Sequence, residues 1–160
     1  MVTEGVAPDQ RMEWDASVVG VETDGGSFEV TAEQVLAFAQ SLDETSPLSI
    51  DEAAAKAAGY RGIVAPPTFT NVFRTKPGLD PKVVYGNSSF HAGQHNEFFL
   101  PIQAGDIITA KKKVADVYPK TGRTGTMVFS VSETAFYNQL GELVARISST
   151  NVRRFVERAE

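Results

Sequence analysis

A change of period part-way along the chain narrows the fold more than any other feature. From Thr31 to Leu42, apolar residues recur at helical spacing (Val35, Leu36, Phe38, Ala39, Leu42) behind a T-x-x-Q capping pattern at Thr31 and Gln34. In the second half the period is two. Met127, Phe129, Val131 and Ala135 alternate with Ser130, Ser132 and Thr134, as a strand with one buried face requires. Strands are expected at Val83 to Tyr85, His95 to Leu100, Asp106 to Val117, Gly125 to Asn138 and Glu142 to Arg154. Hairpin connections are expected at Gly122 and at Asn138 to Gly141. Helices followed by a long antiparallel meander make an α+β fold, most simply a sheet wrapped around the one dominant apolar helix.

Between these regions, Asp43 to Ser49 reads as a loop, with Pro47 stopping any continuation of the helix. Asp51 is placed to cap a second helix, Glu52 to Ala58, and Gly59 sits where a residue just past a helix end belongs. Pro66 and Pro67 open a third helical segment, Thr68 to Phe73, ended by Lys76-Pro77-Gly78. Residues up to about Gly26 read as a loose leader with one short extended piece, Ser17 to Glu22. The expected organisation is a leader over 1–27, a single domain over 28–156 and a tail over 157–160, since 160 residues with 42% apolar content suit one core.

The net charge of −5 argues against nucleic-acid or membrane-surface binding, which needs a positive field. The absence of cysteine excludes disulfides, thiolate catalysis and cysteine metal sites. Met1 to Gln10 contain no apolar stretch of the signal-peptide kind, and no apolar run is long enough to span a bilayer, so a cytoplasmic protein is expected. Nucleophile elbows, P-loops and glycine-rich dinucleotide motifs are missing.

Acid/base chemistry has few candidates. His91 and His95, in "FHAGQHNEFFLP", would share one face of a regular strand and so point into one cleft. Either is a general base there, or both are hydrogen-bonded at a sheet edge or dimer seam. Glu97 alone stands at ligand spacing from them, so no metal is expected. Lys111-Lys112-Lys113 is either a solvated strand edge or a docking point for a phosphate-bearing ligand, with Lys56, Arg61, Arg153 and Arg154 as similar cases.

Two stretches, "FAQSLDETSPLSIDEAAAKAAGYRGIVAPPTF" and the later "HAGQHNEFFLPIQAGDIITAKKKVADVYPKTGRTG" running on to Arg154, resemble MaoC-like dehydratases. The likeness is to the subfamily of their N-terminal halves and covers about Phe28 to Arg154. It implies a hot-dog fold: a long central helix wrapped by an antiparallel sheet of about five or six strands. It also implies hydration or dehydration of enoyl thioesters on CoA or acyl carrier protein, without a cofactor. The domains of this family pair as homo- or hetero-oligomers, with the active site at the interface.

In the catalytic relatives the loop after the first helix reads D-x-N-P-x-H, and a glycine N–H further on polarises the thioester carbonyl. Carried over here, the Asp falls on Glu44, the Asn on Ser46, the His on Ser49 and the glycine at or next to Pro66, which has no N–H. The resemblance therefore implies a non-catalytic, substrate-binding half whose partner carries the Asp/His dyad. The alternatives are a self-sufficient hydratase using Glu44, His91 or His95, and a non-enzymatic acyl-thioester-binding module. Phe38, Leu42, Pro66, Pro67, Phe69, Phe73 and Phe99 are the expected lining of an acyl channel, each with plain core packing as its other reading. Lys56, Arg61, Lys112 and Arg153 are the candidates for CoA phosphates.

Overall fold

The computed structural model describes residues 11–156; the first ten residues of the expected leader, and the expected tail at 157–160, lie outside the described residues. Five strands form one antiparallel sheet: β1 (Thr23–Glu29), β2 (Ser88–Phe98), β3 (Ile107–Gly122), β4 (Gly125–Tyr137) and β5 (Leu143–Arg154). Their order is β1-β3-β4-β5-β2, so β1 and β2 are the edges. Three helices precede β2: α1 (Ala32–Ser41), α2 (Pro47–Ile50) and α3 (Glu52–Ala57). Ala16–Val18 and Pro67–Val72 are 3-10 turns.

Directly paired residues share a face of the sheet, so the register assigns the side chains. One face presents Ile108, Ala110, Phe136 and Ala145, all buried in a cluster with Val35 of α1, Val30, Ile63 and Phe69. Further along, the same face presents Val114, Val117 and Val128, covered by Trp14, Val18, Val19, Val83 and Tyr85. α1 therefore fills one end of the apolar face, and the N-terminal segment together with Val83 and Tyr85 fills the other. The expected capping box is formed: the Gln34 N–H donates to Thr31 Oγ1 at 3.2 Å, and the Thr31 N–H donates to Gln34 Oε1 at 3.1 Å. Asp51 caps α3, its Oδ1 accepting from the Ala53 and Ala54 amides.

Several elements differ from expectation, each for a physical reason. β1 begins inside the supposed leader and crosses its expected end at 27, hidden in the sequence by Gly25 and Gly26, which have low strand propensity. Both are needed. A Cβ at Gly25 would lie 2.8 Å from Ala110 Cβ, and Gly26 has φ +103 at a break in the β1–β3 register. β2 starts seven residues before the expected His95, because an edge strand open to solvent shows little apolar alternation. It ends at Phe98, two residues short of Leu100, whose backbone is restricted by Pro101. Val83 to Tyr85 makes only an isolated bridge, Glu13 with Val84. The segment after Pro66 is a 3-10 turn rather than an α-helix. Pro47 does not close a loop but opens α2 at its first turn.

The lysine run lies on β3, an interior strand and not an edge. Lys112 shares the apolar face and its Nζ donates to Thr75 Oγ1 at 3.3 Å. On the opposite face Lys111 lies over the Tyr137 ring, and Lys113 pairs with Glu133 at 3.1 Å.

Asp106, 1% exposed, ties four segments together. Its Oδ2 accepts the Gln103 N–H at 2.9 Å, and its Oδ1 accepts from the Arg61 guanidinium and from Gln139 Nε2 at 3.1 Å. Its carbonyl accepts the Val30 N–H at 2.9 Å. Gln103 Oε1 in turn accepts the Arg61 N–H at 2.8 Å, and Gln139 Oε1 accepts the Ile107 N–H at 3.1 Å. Asp106→Ala removes the shared acceptor while the apolar core is untouched. It is expected to lower stability by about 2–3 kcal/mol, seen as a lower urea midpoint with an unchanged slope.

Candidate functional site

The loop after α1 is set by the way the helix ends. Asp43 takes the left-handed conformation (φ +51) and donates its N–H to the Gln40 carbonyl. Glu44 donates to the Ala39 carbonyl at 2.9 Å, which completes a Schellman motif. Glu44 Oε1 then accepts the Thr45 and Ser46 amides, both at 2.8 Å, so its carboxylate is anchored by the loop that carries it. Ser49, on α2, is 5% exposed and its hydroxyl donates to the Val64 carbonyl at 2.7 Å.

The opposite wall is the stretch 63–67, which runs beside 101–104. Val64 bridges Gln103, Ala104 donates to the Ile63 carbonyl, and Ala65 donates to the Ile102 carbonyl at 2.8 Å. The Val64 amide is taken by the Leu48 carbonyl at 2.7 Å. Pro66 and Pro67 have no N–H at all. From 64 to 67, therefore, no backbone donor is left for a ligand.

These walls border an open cavity of about 360 Å³ whose third side is the end of β2 and the residues after it, Phe98 to Pro101. Val144 and Ala145 of β5 close the base. The lining is apolar apart from Glu44, Ser46 and Ser49, and the size suits a small apolar ligand.

Of the residues singled out in the sequence, Glu44, Ser49, Pro66, Pro67 and Phe99 come together in this cavity. Phe38, Phe69 and Phe73 do not line it. They stack in the core, with Phe69 edge-on to both Phe38 (5.5 Å) and Phe73 (5.6 Å). Leu42 caps α1 and is 51% exposed. His91 and His95 lie on β2 outside the cavity, and they do not share a face. A bulge at Ala92 pairs His91 with Asn151 but His95 with Ser148; those partners are three residues apart, and so the two imidazoles point to opposite sides of the sheet. His91 Nδ1 lies 3.3 Å from Ser149 Oγ.

The four cations proposed for CoA phosphates are each engaged elsewhere. Lys56 pairs with Glu52, Arg61 with Asp106, Lys112 with Thr75, and Arg153 Nε donates to the Tyr85 carbonyl. Among the described residues no group of three or more His, Cys, Asp or Glu is placed to hold a metal, and no helix is long and apolar enough to cross a membrane. Leu48, Leu100, Ile102 and Val144 are lining residues that sequence reasoning missed. Only the Leu100-Pro101 strand stop hinted at them.

The family described as "FAS1-like, dehydratase domain region" matches residues 17–147. The chain belongs to this family. A protein of Saccharopolyspora erythraea called UPF0336 is 34% identical over 155 residues, covering 89% of this chain and 93% of its own length. A Thermobifida fusca protein of the same name is 32% identical over 100 residues, 59% of this chain and 66% of that protein. Among solved structures, the MaoC-like dehydratase from Rhodospirillum rubrum superposes with a TM-score of 0.66 at 24% identity, covering 88% of this chain and 94% of that one. A chain of the C-terminally truncated HadBC (3R-hydroxyacyl-ACP dehydratase) complex from Mycobacterium tuberculosis does so with a TM-score of 0.65 at 24% identity, covering 86% and 98%. The fold of this FAS1-like dehydratase-region protein is thus the MaoC-like hot-dog, with α1 as its central helix.

Because Asp43 holds a left-handed conformation that β-branched side chains strongly disfavour, Asp43→Val is expected to cost about 1–2 kcal/mol, whereas Asp43→Gly leaves stability unchanged or slightly higher. Urea denaturation of the two variants checks this. Phe69→Ala, which empties the centre of the aromatic stack, is expected to cost about 3–5 kcal/mol in the same assay.

Proposed function

We propose that this chain is the substrate-binding, non-catalytic half of an enoyl-thioester hydratase or 3-hydroxyacyl-thioester dehydratase that works in the cytoplasm with a second hot-dog domain. The observation that carries the reading is the state of the 49 and 64–67 wall. Hydration of a 2-enoyl thioester needs a base to take a proton from water as its oxygen attacks C3, an acid to protonate C2, and a donor for the carbonyl oxygen. Here the position matching the acid is Ser49, whose only proton is given to the Val64 carbonyl. The position matching the donor is Pro66, and the amides of Val64 and Ala65 are already spent. Among the described residues Glu44 is the one titratable group lining the cavity.

The apolar cavity remains suited to the acyl part of a thioester. Phe98, Phe99 and Leu100, at 44%, 47% and 41% exposure, form a lip where the edge strand ends. A long edge strand with aromatic residues beside an open cavity favours completion by another sheet, whose domain would supply the Asp/His dyad and the N–H donor. The family and the HadBC likeness support the same arrangement. A self-sufficient enzyme using His91 or His95 finds no support in their positions outside the cavity.

The purified chain is expected to hydrate crotonyl-CoA no faster than buffer, and to gain activity when mixed with a hot-dog domain bearing the D-x-N-P-x-H loop. Turnover by the chain alone sinks the reading. Ser49→His is expected to leave the chain inactive, because the donor is still missing at Pro66 and the buried site must open to admit an imidazole.

A further inference from the structure

The cavity holds one charge, and that charge is fixed. Glu44 Oε1 is tied to two successive amides of its own loop, and the loop is pinned to α1 by the Schellman bonds, so the carboxylate cannot swing away to solvent at little cost. No lysine, arginine or histidine lines the cavity among the described residues. Arg146 stands 5.6 Å from the centroid of the Phe99 ring, which lines the cavity. It belongs to the opposite face of the sheet, where it is shared between Glu97 at 3.5 Å and Glu133 at 3.7 Å. The hydroxyl of Ser49 is committed to Val64, leaving Ser46 as the one other polar side chain on the lining. A ligand entering here meets apolar walls and an uncompensated negative charge.

We propose that Glu44 makes this pocket select acyl chains that are neutral along their length and exclude chains ending in a carboxylate or another anion. The inference rests on the thioester-binding reading above and names the substrate class of the same site. Its physics is that of like charges brought together in one apolar-walled cavity, which disfavours the charged guest. An apolar chain is not penalised, since the carboxylate keeps its two amide partners whether or not the cavity is filled.

The test compares two N-acetylcysteamine thioesters, decanoyl and its analogue ending in a carboxylate, by calorimetry on the wild-type chain and on Glu44→Gln, each with and without the catalytic partner. The substitution keeps a side-chain oxygen for the Thr45 and Ser46 amides, and an unchanged melting curve verifies that the loop survives. The wild type is expected to bind the neutral probe at least about tenfold more tightly than the carboxylated one, with Glu44→Gln closing most of that gap by gaining the carboxylated probe. Equal binding of both probes by the wild type overturns the inference and leaves the proposed function standing. A gap that persists undiminished in Glu44→Gln also overturns it. Failure of the neutral probe to bind under any of these conditions overturns the proposed function, and the inference with it.

Discussion

The hydrogen bonds of one buried carboxylate hold the site-bearing end of this molecule in shape. Asp106 closes the turn into β3, receives Arg61 from the segment after α3, receives Gln139 from the β4–β5 hairpin, and through its carbonyl holds Val30 at the end of β1. A buried charge with a single partner is a poor stabiliser, but one whose oxygens are met by several donors defines a unique arrangement of the chains that supply them. Here that arrangement sets the line of residues 61–65 against 102–104, and hence where Pro66 and Pro67 stand. The cavity wall follows from a contact that does not itself touch the cavity.

The other wall is set by local rules alone. The capping box fixes where α1 begins, the Schellman motif fixes where it ends, and the loop that follows ties Glu44 to its own amides. The two walls thus have different origins, one dictated by neighbours in sequence and the other by a long-range clamp. The hydroxyl of Ser49 joins them by reaching Val64 across fifteen positions. The capping box, the Schellman bonds and the Asp106 clamp shape both walls without using the side chains at 46, 49 or 66.

This division explains what could be read directly from the residues. α1, α3 and the three long strands of the second half were legible because caps and alternation are local signals. The face of β4 was not: Val128 and Phe136, not Met127, Phe129 and Val131, look into the core. The grouping of Glu44, Ser49 and the two prolines was legible only through family resemblance, since their approach depends on the Asp106 clamp. β1 was missed because its glycines are chosen for closeness to Ala110, a neighbour more than eighty positions away. The shared face of His91 and His95 was misjudged because one unpaired residue at Ala92 inverts the alternation, and no composition marks a bulge of that type. Phe38 and Phe73 carried the right chemistry for an acyl channel but were recruited to the core by Phe69.

That same irregularity at Ala92 bears on how the exposed edge avoids indiscriminate growth. It divides β2 into a stretch from Ser88 to His91 and another from Gly93 to Phe98, with the side-chain phase reversed between them. A uniform strand laid along this edge matches one stretch and is out of step with the other. A partner shaped to the interruption meets no such conflict. A straight strand can therefore pair with only one of the two stretches at a time, which limits how far such an edge can be extended.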